Sequence, residues 1–129
     1  MENSNDTLKL FSEILTLTIA QLTIDQYNEN NNGAYFWIAK SQDNDYKLFC
    51  HLNDTTTNVL ITNDEKEIDM LEEMLKNCGY EITKTEKGNA LITITKEKIM
   101  KLIEKLQNEG FRITKDENNR TLIPYKLKK

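Results

Sequence analysis

In the second half of the chain the apolar positions alternate between two spacings. Residues 59–62 and 90–94 are short runs of Val, Leu, Ile, Ala and Thr with the character of strands. Between and after them, Ile68, Leu71 and Leu75, then Ile99, Leu102, Ile103 and Leu106, recur every three or four residues, the spacing of one helix face. Asp64 and Glu67 have capping-box spacing at the start of the first helix. Thr95 holds the cap position of the second. Gly79 and Gly110 stop the helices, because glycine enters the left-handed conformation of a helix C-cap without a Cβ penalty. Closing strands are expected over 80–85 and 111–115, with Lys87 and Gly88 turning the first unit into the second as a hairpin.

These two units are one pattern written twice. Residues 58–86 align without gaps on 89–117 at an offset of 31, with 14 of 29 paired positions identical and Tyr80 matched by Phe111. A fixed internal period marks a supersecondary unit used more than once. Two β-α-β units joined by a hairpin predict a ferredoxin-like β-α-β-β-α-β core over 58–117. Right-handed crossovers then put both helices on one face of an antiparallel sheet. Residues 120–127 resemble the opening strand of a third copy, and Pro124 suits an edge position there.

Upstream, residues 7–27 are apolar almost all round and predict a helix, although 15–19 alternate as a strand would. An Asn-rich loop over 28–32 and Gly33 follow, then a hairpin of 34–40 with 46–52 across 42–45. The expected class is α+β, a single domain over 1–129: an N-terminal helix plus aromatic β-hairpin in 1–57, and the tandem repeat region in 58–129.

The two-residue strand period assigns faces. Val59, Ile61, Tyr80, Ile82, Ile92, Ile94, Phe111, Ile113, Ile123 and Tyr125 should meet the helices, and Leu60, Thr62, Glu81, Thr83, Leu91, Thr93, Arg112, Thr114 and Leu122 should share the opposite face. Leu60, Leu91 and Leu122 are repeat-equivalent apolar positions that need a cover. The N-terminal helix lying across them is the expected cover, and a dimer or partner interface is the competing one. In the hairpin, Tyr35, Phe36, Trp37, Tyr46 and Phe49 fall within fifteen residues, Tyr35 and Trp37 on one face, Phe36 and Ile38 on the other. Core packing is the first expectation for these rings. An exposed Trp37 would be the anchor of a binding surface. Tyr35, Trp37, Leu60, Leu91 and Leu122 are therefore the candidate partner-binding residues.

Composition adds what the molecule should not do. The 129 residues carry a net charge of -4 and include one His and two Cys. That scarcity weighs against an enzyme. Cys50 and His51 are adjacent, so on a strand they point apart. Cys78 falls at a helix C-terminus, where the dipole disfavours a thiolate. Asp43, Asn44 and Asp45 lack the Gly and distant Glu of a calcium loop. Asp64, Glu65, Glu67, Asp69, Glu72 and Glu73 read as a solvated helix face. With no Cys/His cluster, phosphate loop or hydrolase motif, no catalytic residue, metal or cofactor is expected. Two unpaired-looking thiols, no signal peptide and no apolar run of ~20 residues predict a cytoplasmic protein without a membrane segment. Asn5, Asn53 and Asn119 head Asn-x-Thr triplets that read as turn and cap chemistry.

Charge is unevenly spread, -5 over 1–63 and +1 over 64–129. Arg112, Lys115, Arg120 and Lys126 would be the contacts if nucleic acid bound, but an acidic chain with interleaved charges is a poor general binder. An RNA-reading sheet also needs stacked aromatics on its open face, where this assignment puts Thr, Glu and Leu. The first functional expectation is a small non-enzymatic regulator or inhibitor that binds a larger protein. Its motif-free, acidic, Asn-, Lys- and Ile-rich composition matches the general profile of phage and mobile-element anti-defence proteins, CRISPR inhibitors among them. The second is a small-molecule-sensing, dimeric ferredoxin-like domain of the ACT type, which often carries a Gly where this chain has Thr62, Asn63 and Asp64. Nucleic-acid binding by the basic C-terminal end is third.

Overall fold

The apolar N-terminal stretch folds as one continuous helix, α1 (Ser4–Asn30), in a computed structural model that describes residues 4–125, with side chains from Asp6 onward except that of Leu60. The strand-like alternation at 15–19 is overridden because no Gly or Pro interrupts the stretch and its threonines satisfy themselves locally. Thr16, Thr18 and Thr23 donate to the carbonyls four residues back, Ser12, Ile14 and Ile19, at 2.7–3.0 Å. Leu15, Leu17, Ile19, Ala20 and Ile24 are all buried, so the helix is packed on more than one side. At 27 residues it is also long and apolar enough to cross a membrane by length and composition, which corrects the expectation that no stretch of the chain is.

Three strands follow as a meander: β1 (Ala34–Lys40), β2 (Tyr46–Leu52) and β3 (Thr55–Thr62). The 34–40 and 46–52 hairpin falls where the sequence puts it. Asn53 and Asp54, both with positive φ, make a two-residue turn between β2 and β3, the chemistry anticipated for that Asn-x-Thr triplet. After α2 (Glu65–Asn77) come β4 (Glu81–Lys84), β5 (Ala90–Ile94), α3 (Lys96–Asn108) and a small separate hairpin, β6 (Thr114–Lys115) with β7 (Thr121–Leu122). The main sheet is antiparallel throughout, in the order β3-β2-β1-β5-β4.

That order departs from the ferredoxin-like arrangement. The opening strands of the two repeat units should be neighbours there, yet β3 lies at one edge and β5 next to the other, with β2 and β1 between them. The tight turn at 53–54 holds β3 against β2, so β1 of the N-terminal hairpin becomes the central strand and α2 must cross the whole sheet. β5 is then paired on both sides, by β1 and β4, and no edge is left beside it for 111–115. Of that expected strand only Thr114 and Lys115 pair, with Leu122 and Thr121. The expected third-copy strand shrinks to Thr121–Leu122, with Pro124 outside it and residues 126–127 outside the described part.

What does recur at the 31-residue offset is the helix and its ends. Both helices have 13 residues, side-chain caps at Asp64 and Thr95, and glycine stops with φ of 102° and 93°. Tyr80 and Phe111 each donate back to the carbonyl five residues earlier, Leu75 and Leu106, at 3.0 Å.

All three helices pack on one face of the sheet. Phe36, Ile38, Leu48, Cys50, Ile92 and Ile94 from the strands meet Ile19, Leu71, Leu75, Ile99 and Leu102 from the helices in one core. Gly33 is needed where β1 enters, because a Cβ there would stand 2.4 Å from the carbonyl oxygen of Ile94. The C-terminal segment runs along α1: Asp25 accepts from Thr121 N–H and Oγ1 (2.8 and 2.6 Å), Gln21 from Ile123 N–H (2.8 Å), and Glu13 from the Tyr125 hydroxyl (3.3 Å). Since α1 sits with the other helices, it does not lie across Leu91 on the second sheet face. That expectation fails because α1's own apolar residues are already used on the inner side.

Candidate functional site

With every helix on one side, the other side of the five-stranded sheet is bare, and register determines what it shows. Trp37 lies between Phe49 of β2 and Leu91 of β5, and this row continues to Asn58 at one edge and Thr83 at the other. The next outward row is Thr56, His51, Tyr35, Thr93 and Glu81, read across the same strands, although β1 and β2 are no longer paired at Tyr35 and His51. On the other side of the Trp37 row, Lys47 pairs with Ala39. Tyr35 and Leu91 stay 44% and 40% exposed.

The rings form a connected ridge. Tyr35 and Trp37 stack at 5.9 Å between centroids, 20° apart in plane, and Trp37 and Phe49 at 5.6 Å and 17°. His51 leans on Trp37 at 5.3 Å and on Tyr35 at 6.4 Å, with its Nδ1 3.2 Å from the Thr56 hydroxyl. Side chains stand roughly perpendicular to a sheet, so near-parallel neighbours at these distances spend their faces on each other and turn edges outward. From below, Gln26 of α1, itself buried, brackets the Tyr35 backbone, accepting from its N–H and donating to its carbonyl at 3.2 Å each. The ridge is therefore anchored to the helical layer through one side-chain amide.

Of the candidate partner-binding residues, the fold brings Tyr35, Trp37 and Leu91 together. Leu122 is exposed on the separate small hairpin, and Leu60, whose backbone pairs with Lys47, has a side chain outside the described residues. Phe49 and His51 were missed, although strand parity alone places Phe49 with Trp37 once the hairpin register is known. The expectation that the open face lacks aromatics is overturned, because the N-terminal hairpin supplies the centre of the same sheet. The aromatic hairpin divides cleanly, with Phe36 in the core and Tyr35, Trp37 and Phe49 outside.

The basic candidates do not gather on this face. Lys115 and Arg120 line a cleft of about 220 Å³ together with Asp25, Glu29 and Asn53. With the Asn53 amide turned to donate to Glu29, its oxygen accepts from Arg120 Nη2 at 3.2 Å. These two cations share their cleft with the carboxylates of Asp25 and Glu29. Arg112 is exposed, and Lys126 lies outside the described residues.

The acidic α2 is not wholly solvated either. Glu72 is buried, and its Oε2 accepts from Lys84 Nζ at 2.6 Å, which corrects the reading of that side chain. Nearby, the Tyr46 hydroxyl donates to Glu65 at 3.2 Å. Burial first, then that bond and the charges of Glu65, Asp69 and Glu72, hold the Tyr46 phenol above its usual range.

Cys50 is buried on the inner face and His51 exposed on the outer one, so they form no pair. Burial pushes both the Cys50 and Cys78 thiols up and keeps them protonated at neutral pH, the opposite of an activated nucleophile. Tyr80, sealed in the core with its hydroxyl 2.6 Å from that of Thr23, is raised much further by burial. A folded-state pKa above the unfolded value contributes stability below the unfolded pKa and loses it above. Stability should thus fall as pH rises beyond about 9 for the thiols and 10 for Tyr80. Tyr80→Phe should start slightly less stable, by about 1 kcal/mol for the lost hydrogen bond, yet lose less between pH 10 and 11. Thermal melts of both proteins from pH 8 to 11 check this, and parallel decline in the two would refute it.

Among the described residues no three His, Cys, Asp or Glu side chains gather as a metal site. Comparison with protein-family models, curated proteins and solved structures finds no match.

Proposed function

We propose that this protein is a small non-catalytic binding module that regulates or inhibits a larger protein, and that its bare sheet face is the docking surface. The observation that carries this is the ridge of Tyr35, Trp37 and Phe49 beside Leu91 on a face no helix covers. At ~4.8 Å between strands and ~6.8 Å between alternate residues, five strands and three rows span roughly 500 Å². Within that area Tyr35, Trp37, Phe49 and Leu91 form one contiguous outward-facing apolar patch, the kind of surface that marks an interaction site. Aromatic enrichment and charge depletion are what interface centres show. Nucleic acid suits this face less well: base stacking needs free ring faces, and Lys47 is the one basic outward residue among those described. The ACT-type alternative loses the strand order on which it rested.

Within that reading, the small, acidic, Asn-, Lys- and Ile-rich composition is what supports an anti-defence inhibitor of phage or mobile-element origin, acting in the cytoplasm. Leu91→Lys tests the surface. Because Leu91 projects from the bare face, the variant should melt within about 0.5 kcal/mol of the parent in stability. It should no longer retain the partner that the parent captures from host lysate. Met100→Lys, on the exposed outer side of α3, should retain it. Loss of folding in Leu91→Lys, or undiminished capture, would overturn the reading.

A further inference from the structure

Lys47 and Glu81 are the two charged side chains on the described outward positions of the sheet, and they are opposite in sign. Neither has an ion-pair partner within the described chain. They stand on opposite sides of the aromatic ridge: Lys47 on β2, one row below Trp37, and Glu81 on β4, one row above it. We infer that two copies of this chain close their bare faces on each other about a two-fold axis, each Lys47 meeting Glu81 of the other copy; this rests on the reading of that face as a protein-docking surface.

The sheet lattice shows why this arrangement fits. With strands ~4.8 Å apart and alternate residues ~6.8 Å apart, the axis that superposes Lys47 on Glu81 lies in the face, diagonal to the strands. It passes between Trp37 and Leu91. The same operation carries Tyr35 onto the neighbourhood of Phe49 and Phe49 onto that of Tyr35 and Thr93, so apolar positions meet apolar ones. The strands of the two sheets then cross at roughly a right angle, one of the two geometries that face-to-face sheets adopt. A two-fold contact must be self-complementary in this way, with residue i against j and j against i.

The patch sets the strength. Roughly 500 Å² from each copy lies at the lower end of specific interfaces and gives a reversible dimer that dissociates on dilution. Because the docking surface for the larger partner is the same face, self-association withholds it until dilution or the partner's tighter binding opens the pair.

Sedimentation or light scattering of the full chain from low micromolar to submillimolar concentration tests this. The parent should pass from monomer to dimer. Lys47→Glu and Glu81→Lys should each weaken the dimer at least tenfold, since like charges then meet twice. An equimolar mixture of the two single variants should recover dimer, because the two introduced charges meet each other at one contact and the native Lys47 and Glu81 meet at the other. The double variant should recover it as well. A parent that stays monomeric throughout, single variants that dimerise like the parent, or a mixture that recovers nothing would each overturn the inference. A monomeric parent whose Leu91→Lys variant still loses the larger partner ends the dimer alone; if capture is also undiminished, the docking reading falls with it.

Discussion

Phe36→Ala should cost about 3–5 kcal/mol and leave little folded protein at ambient temperature. Phe36 is 0% exposed in the central strand, with β2 on one side and β5 on the other, and meets the ring of Tyr80 edge-on at 6.5 Å. A hole there is lined by strand, helix and the buried Thr23–Tyr80 pair, so it cannot close without moving the sheet against α1. Against a total stability of about 5–15 kcal/mol for a domain, that is a large fraction. Urea unfolding followed by circular dichroism measures it. A loss below about 1 kcal/mol would mean that the core centre lies elsewhere.

The neighbouring residue should behave in the opposite way. Trp37→Ala should stay folded, losing about 1 kcal/mol of ring stacking against Tyr35 and Phe49. Its effect should appear in binding: a central aromatic anchor contributes about 2–4 kcal/mol, equivalent to a loss of roughly 30- to 1000-fold in affinity. The dissociation constant for the captured partner and the self-association constant both report it. Unchanged values for both would remove the ridge from the binding surface. One peptide bond separates a residue that holds the molecule together from one that should hold something else.

Local structure was legible in the sequence wherever a short-range cause acted. The caps at Asp64 and Thr95, the glycine stops at 79 and 110, and the hairpin of 34–40 with 46–52 all rest on chemistry within a few residues. Strand order was not legible, because it depends on which edges are still free when each strand arrives. The repeat invites 58–62 to pair with 90–94. The Asn53–Asp54 turn already commits β3 to β2, and an Asn-Asp pair, residue types that tolerate positive φ, before a Thr-rich run was the signal for it. The candidate site was half legible. Parity within β1 paired Tyr35 with Trp37, but joining them to Leu91 required knowing that β1 and β5 are neighbours. Nothing in periodicity said on which side α1 would lie, since it is apolar almost all round.

The bonds that join the end of the described chain to its beginning govern the order of assembly. Asp25 and Gln21 of α1 find their backbone partners 96 and 102 residues later, at Thr121 and Ile123. Although α1 precedes every described strand, its polar contacts with Thr121 and Ile123 are thus completed last. Until then, Asp25 and Gln21 keep these acceptors turned to water. Contacts of such long sequence separation slow folding relative to local ones. A chain of this design leaves one flank of its first helix open until residues 121–123 close over it.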